Sequence, residues 1–393
     1  MNAEHEDRAS RICRRHDAVV LDDVGQAMAR SHEILCTRRH ADVVSDRLRK
    51  WVDGSEQVRG AGIVRVRLRR RAKVDLRAVT ADLEPYARVA PNSLYSGEPL
   101  WNGGPASPPT QPAHRPRPPR APAPGTRSTV TAVLDTGISA HPWFTGRSWF
   151  ADCGPQHAEE VDRDQDFLLD SQAGHGTFVT GLLLTQGPST DIRPVRVLNS
   201  DGVCDEAALI RALMALRPSV TGATDVVNLS LGAYTHDDRP SPLLLDALHA
   251  LGPDTVVVAA AGNRGSSRPF WPAALKSVVA VGALESAGGG RAPFSNHGWW
   301  VDACAPGHQV ASSFVWFNGP GGGGDVTDAD LFLGYAQWSG TSFATAQVSG
   351  AVANLCATKG MDAPQATRTL LDPAKHRLVP DLGLAVLERR RAR

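Results

Sequence analysis

From residue 128 onward, short apolar runs alternate with segments of helical spacing. Residues 130–134 form an apolar run of strand length, and 195–198, 225–229, 255–260 and 277–281 repeat it. Between and after them, 175–184, 206–216 and 243–251 have helical spacing, and a last helix is expected from Ser342 to about 358. Strands apolar on both sides, separated by helices, predict a parallel sheet covered on both faces. Ligands and chemistry collect at the carboxyl ends of the strands in such sheets.

The first hundred residues read differently. Residues 33–37 suit a strand, and 41–52 place Val43, Val44, Leu48, Trp51 and Val52 on one helical stripe. Residues 62–68 alternate apolar and basic positions, as a half-buried strand does, and 74–83 return to helical spacing. This order suits a small α+β, ferredoxin-like unit. Residues 105–124 are proline-rich, interleaved with Arg115, Arg117 and Arg120, and cannot build a core. The expected organisation is an N-terminal extension (1–29), an α+β domain (30–104), a proline-rich linker (105–127), an α/β domain (128–376) and a C-terminal tail (377–393). The end of that tail, Arg389 to Arg393, is expected to be frayed.

Charge narrows the function classes. Lys and Arg number 42 against 41 Asp and Glu, a net charge of +1, so nothing favours nucleic acid or a membrane surface as partner. No apolar run approaches the roughly 20 residues of a spanning helix. Residues 1–15 are charged and lack the apolar core of a secretory signal, so a cytoplasmic location is expected. Cys13, Cys36, Cys153, Cys204, Cys304 and Cys356 show no close pair and no zinc spacing. Free thiols are expected, with a Cys153–Cys204 bridge as the alternative.

Two further stretches have bland readings. Asp152, Glu159, Glu160, Asp162, Asp164, Asp166 and Asp170 gather before His175. Several carboxylates suit calcium, but EF-hand spacing is missing, so a solvated loop and no cofactor are expected. The glycine-rich run 319–324, followed by Asp325, Asp328 and Asp330, reads as a flexible insertion and has no phosphate-loop Lys-Ser/Thr.

Four motifs carry chemistry. Ala132-Val133-Leu134-Asp135-Thr136-Gly137-Ile138 puts a carboxylate at a strand end. Gly174-His175-Gly176-Thr177 opens an apolar helix with an imidazole between glycines. Ala260-Ala261-Gly262-Asn263 ends a strand with a neutral amide. Gly340-Thr341-Ser342-Phe343-Ala344-Thr345-Ala346 puts a serine at a helix N-terminus, where backbone N–H groups lack intrahelical partners. An acid, a histidine, an amide and a serine are the parts of a serine-nucleophile hydrolase.

The order and flanking residues resemble the subtilisin-like serine peptidases, the subtilases, over about 130–375. The resemblance implies their three-layer α/β fold with a mainly parallel sheet. It implies Ser342 as nucleophile, His175 as general base, Asp135 as its orienting carboxylate and Asn263 as oxyanion donor. It implies that Ser230-Leu231-Gly232 pairs with substrate as an added strand, and that Ala260-Ala261-Gly262 lines the pocket before the cut. Those small walls suit a sizeable apolar side chain. Ala346 stands where the family usually has proline, and Phe178 where it often has a second histidine; neither change is expected to remove the chemistry. The α+β unit at 30–104 matches subtilase propeptides in size and place. The function expected is a serine endopeptidase acting on protein or peptide substrates, restrained by that unit or by a regulatory partner. A transpeptidase or macrocyclase on the same triad, and a catalytically silent binding protein, stay as alternatives.

Overall fold

The computed structural model describes residues 8–97, 108–122, 124–319 and 331–387. Its contacts divide it into two compact units. One comprises residues up to Tyr95 together with 204–222 and 233–252; the other comprises 96–203, 223–232 and the remainder from Pro253. This departs from a boundary at the proline-rich linker. Helices Glu206–Ala215 and Pro242–His249, which periodicity assigns to the α/β domain, group with the N-terminal residues. No helix among the described residues is long and apolar enough to cross a membrane.

The N-terminal unit is built on an antiparallel sheet. Its central strands are Met28–Thr37, Val52–Val58, Ile63–Leu68 and Val89–Ser96, with helices Ala41–Arg47 and Leu76–Leu83 between them. In space they run Val52–Val58, Ile63–Leu68, Met28–Thr37, Val89–Ser96, and then Val203–Asp205. This is the split β-α-β arrangement of a ferredoxin-like unit. Ile34, Cys36, Val44, Val64, Val66, Leu76 and Leu83 form its core. The expected helix over 41–52 stops at Arg47: Leu48 is buried, and Arg69 N–H donates to Trp51 O, turning Val52 into a strand. That strand is too polar to show a period. The extension at 1–29 is also structured in part, with helix Arg8–His16 and strand Ala18–Val20 paired to Met28–Thr37.

A buried acid sits in this unit. Glu206 opens its helix, fully buried. Tyr95 Oη donates to Glu206 Oε2 at 3.2 Å, and Ser241 Oγ donates to Oε1. Ser241 also accepts from the Leu243 and Leu244 N–H groups and so caps helix Pro242–His249. Desolvation pushes the Glu206 carboxyl up to about 7, against two hydroxyl donors that favour its charge.

The larger unit holds an eight-stranded sheet. Its order is Arg377–Val379, Gly383–Ala385, Ala303–Pro306, Val278–Leu284, Val256–Ala260, Val226–Leu229, Thr129–Asp135, Thr190–Arg196. All neighbours are parallel except the first pair. The strand expected at 195–198 lies earlier, because the register pairs Thr129 with Thr190 and Asp135 with Arg196. Residues 377–385 are not a tail: Gly383–Ala385 pairs with Ala303–Pro306 and extends the sheet. A separate hairpin, Val310–Asn318 with Leu331–Trp338, precedes the serine helix. Asp325, Asp328 and Asp330, and Arg389 to Arg393, lie outside the described residues.

Two helices run through the middle of this unit. In His175–Gln186 every residue from His175 to Leu184 is buried, and Thr341–Lys359 is buried on nearly all sides. Neither has a polar face, as expected for helices enclosed all round. They approach closely through glycine: a Cβ on Gly350 would overlap the Leu183 carbonyl oxygen. A Cβ on Gly187 would stand 2.6 Å from Gly350 O.

Two outcomes test this description. Gly350→Ala is expected to lower stability by about 1–3 kcal/mol through overpacking, read as a lower urea midpoint. Glu206 gives a pH signature. A carboxyl held at about 7 in the fold, against 4.5 as its ordinary value, binds its proton more tightly when folded. Its contribution is therefore fully present below about pH 4.5 and is lost as pH rises through about 7, amounting to about 3 kcal/mol. Glu206→Gln should flatten the fall in urea midpoint between about pH 4.5 and 7; an unchanged slope would refute the assignment.

Candidate active site

Asp135 is the last residue of strand Thr129–Asp135, with its carboxylate at the carboxyl end of the sheet. The chain turns sharply after it at Gly137, φ +125°. His175 is the first residue of its helix, entered through Gly174 at φ +80°, where a Cβ would overlap the Phe314 ring. Gly176 is needed for the approach itself, since a Cβ there would overlap Gly137 O. His175 Nδ1 and Asp135 Oδ1 are 2.7 Å apart. The Thr136 N–H donates to the same oxygen at 2.8 Å. Asp135 Oδ2 is buried with no hydrogen-bond partner among the described residues. Exposure is 1% for Asp135 and 2% for both His175 and Ser342, so charge here acts without solvent screening.

Ser342 occupies the first turn of helix Thr341–Lys359. Its Oγ donates to Ser230 O at 3.4 Å, while Ser230 Oγ donates back to Ser342 O at 3.2 Å. Asn228 steadies Ser230 (Nδ2 to Oγ, 3.0 Å) and accepts from Ser349 Oγ at 3.0 Å, so strand and helix are tied together. Among the described residues no hydrogen bond joins His175 to Ser342. The imidazole instead lies 5.6 Å, ring to ring, from Phe343 and 5.5 Å from Trp338. Phe178 completes this aromatic wall, 4.5 Å from Phe343 and 5.9 Å from Trp338. A second histidine at that position would meet an apolar surround, which accounts for phenylalanine there.

Asn263 follows strand Val256–Ala260. Its Oδ1 accepts from Thr341 N–H and Thr341 Oγ1, both at 2.8 Å, which fixes the orientation of the amide. Thr341 Oγ1 in turn accepts from Gly262 N–H at 3.1 Å. Ala261 N–H bonds Val281 O, and Ala261 O accepts from Asn296 Nδ2 at 2.7 Å, so the 260–263 segment is held from both sides. Ala346 lies in the second turn of its helix.

Ser230, Leu231 and Gly232 follow strand Val226–Leu229, and the edge they form is occupied by the chain itself. Ser96 N–H donates to Gly232 O at 2.8 Å, Gly232 N–H to Ser96 O at 3.0 Å, and Gly97 N–H to Gly202 O at 3.0 Å. Thr110, in the proline-rich stretch, pairs with Gln337 of the hairpin. None of the six cysteines is disulfide-bonded. Asp162, Asp164 and Asp166 bring carboxyl oxygens within 4.8 Å of one another, and Asp162 accepts from the N–H groups of Asp166 and Phe167.

The structure thus brings Asp135 and His175 into contact and ties Asn263 and Ser230 to the first turn of the serine helix. Sequence reasoning missed Thr341, Asn228 and Ser349. Only Thr341 carried a signal, as a hydroxyl beside the serine.

Residues 126–384 match the sequence profile of the Subtilase family, peptidase S8. This chain belongs to the subtilase family. It therefore has the family's three-layer α/β fold. It is 33% identical over 248 residues to a thermophilic serine proteinase of Bacillus sp. (strain AK1), covering 60% of this chain and 54% of that protein. It is 34% identical over 232 residues to subtilisin BL of Lederbergia lenta, covering 56% of this chain and 74% of that protein. To the subtilisin of Bacillus pumilus it is 34% identical over 236 residues, covering 56% and 74%. The chain thus spans about half the length of the first of these relatives and about three quarters of the other two.

Proposed function

We propose that this subtilase is a serine endopeptidase that hydrolyses peptide bonds through an acyl-enzyme on Ser342. The reading is carried by one observation: a buried Asp135–His175 pair, 2.7 Å apart, beside a helix whose first turn holds a serine. In this reading the Ser342 hydroxyl turns from Ser230 O toward His175 Nε2. His175 takes the Oγ proton as Oγ attacks the substrate carbonyl, and Asp135 stabilises the imidazolium through Nδ1–H. The oxyanion is received by the Ser342 N–H and the Asn263 amide, donors that need no reorganisation at the moment of reaction. His175 returns the proton to the leaving amine, and water then repeats the attack on the acyl-enzyme.

Substrate enters as a strand along Ser230-Leu231-Gly232, where backbone bonds give affinity without demanding a sequence. Ala260-Ala261-Gly262 offers the small walls of the adjoining pocket. Ser96 and Gly97 already make bonds of this kind, which supports a self-blocked enzyme. The N-terminal unit that runs directly into Ser96 is then its restraint, relieved by a partner or by cleavage.

The test is a fluorophosphonate label with intact mass, on the full chain beside Ser342→Ala. Label on the unaltered chain alone supports the reading; label on neither, even after release of the edge, would leave a binding protein on a peptidase fold. Asn263→Ala should lower kcat about 10²–10³-fold, the size of effect measured when an oxyanion donor is removed from subtilisin itself. Ser96→Pro removes an N–H donor to Gly232 O and should speed labelling roughly three- to tenfold. A Ser96→Pro chain that labels no faster would argue against self-blocking.

A further inference from the structure

Glu159 lies outside the four motifs, in the acidic stretch expected to be a solvated loop. Its backbone is instead pinned beside the aspartate turn. Glu159 N–H donates to Ile138 O at 3.2 Å, and Ile138 N–H donates to His157 O at 2.9 Å. Gly137 makes room: a Cβ there would stand 2.8 Å from His157 O and 2.9 Å from Ala158 O. From this anchor the side chain crosses to the start of the histidine helix. Oε1 accepts from Gly174 N–H at 3.0 Å; Oε2 accepts from Thr177 Oγ1 at 2.7 Å and Thr177 N–H at 3.3 Å. Gly174, at the N-cap position, has no side chain with which to cap, so Glu159 caps the helix from another part of the chain.

A fourth donor connects this acid to the site. Thr136 Oγ1 donates to Glu159 Oε1, accepts from Gly176 N–H at 2.9 Å, and lies 3.3 Å from Asp135 Oδ1. A hydroxyl has one proton and cannot serve both carboxylates. Glu159 is the nearer of the two. Asp135 Oδ1 is then left to the Thr136 N–H and to the imidazole.

We propose that Glu159 is a positioning residue for the Asp135–His175 pair, holding the first turn of the histidine helix and drawing the Thr136 proton away from Asp135. This rests on the active-site reading above, but it is read out on the imidazole itself. Asp135 faces Glu159 from the strand end and His175 from the helix. Arg196, on the neighbouring strand, donates to Ala158 O at 3.2 Å, and His157 and Glu160 belong to the same segment as Glu159. Burial, and after it the charge of Asp135, push the Glu159 carboxyl up to about 6 against its hydrogen-bond donors. It is therefore charged above about pH 6 and neutral below.

The sign follows. An ionised Glu159 favours the imidazolium, and so does an Asp135 that accepts no hydroxyl proton. Glu159→Gln removes the charge and lets the Thr136 proton turn to Asp135. Both changes should lower the titration midpoint of the His175 imidazole, by roughly half a unit to one unit. The Nδ1–H proton resonance of His175, followed against pH in the full chain, measures this whether or not the chain proves active. Glu159→Asp keeps the charge and should bring the midpoint back toward that of the unaltered chain. In active protein the acid limb of kcat/KM should move down with the Gln variant. A folded Glu159→Gln chain with an unmoved imidazole midpoint would overturn the proposal. If that variant does not fold, the unaltered chain decides: the His175 resonance should show a second inflection at about pH 6, and its absence would overturn the proposal equally.

Discussion

Two largely enclosed helices meet at Gly350, and groups of the candidate active site hang from their first turns. Because Gly350 brings no side chain to this contact, the backbone of the serine helix comes right up to the Leu183 carbonyl of the histidine helix. A helix start is also where N–H groups are left unpaired, so the same crossing delivers two clusters of positive dipole to one place. The parallel strands end beside it. One brings Asp135 to the histidine helix, another brings Ser230 to the serine helix, and a third brings Asn263 to Thr341. Each of these meetings joins a strand end to a helix start, the geometry a parallel sheet supplies repeatedly.

The histidine helix and the serine helix are answered differently. At the serine helix the partners are neutral: Thr341, Asn263, Ser230 and Asn228 exchange hydrogen bonds without adding charge. At the histidine helix the partners are two carboxylates, Asp135 and Glu159, separated by the Thr136 hydroxyl. Negative charge is therefore concentrated on the side that, in the proposed mechanism, stabilises an imidazolium, and withheld from the side proposed to stabilise an oxyanion. The aromatic wall of Phe178, Trp338 and Phe343 keeps water from weakening the contrast.

Much of this was legible in the sequence. Four of the parallel strands, near 129–135, 226–229, 256–260 and 278–284, announce themselves through apolar runs. Thr190–Arg196, by contrast, carries polar residues along its length and lies earlier than expected, and the four-residue Ala303–Pro306 gives no signal. The four motifs announce themselves because strand ends and helix starts have narrow residue requirements. What stayed hidden has local reasons. Val52–Val58 is polar along most of its length, and the three-residue strands near 377–385 are too short for any period. Helices Glu206–Ala215 and Pro242–His249 have correct periodicity, but a period does not say which unit a helix joins. Glu159 looked like one member of an acidic run. Its place depends on residues 136, 138, 174 and 177 meeting in space, and nothing in its neighbourhood along the chain encodes that. Ser96 and Gly97 likewise show no strand signal, since their partners lie more than a hundred residues away.

On the proposal that 230–232 is the edge where substrate pairs, the bond of Ser96 to Gly232 bears on selectivity as well. A segment covalently held beside its edge competes at an effective concentration on the order of millimolar, set by chain length and independent of how much protein is present. A peptide arriving from solution at micromolar concentration faces roughly a thousandfold disadvantage before any difference in fit is considered. The apparent affinity of an outside peptide is thus scaled by the fraction of chains whose edge is vacant. Discrimination in such a molecule is exercised first by vacancy and only then by the pocket: an abundant poor peptide and a scarce good one wait for the same opening.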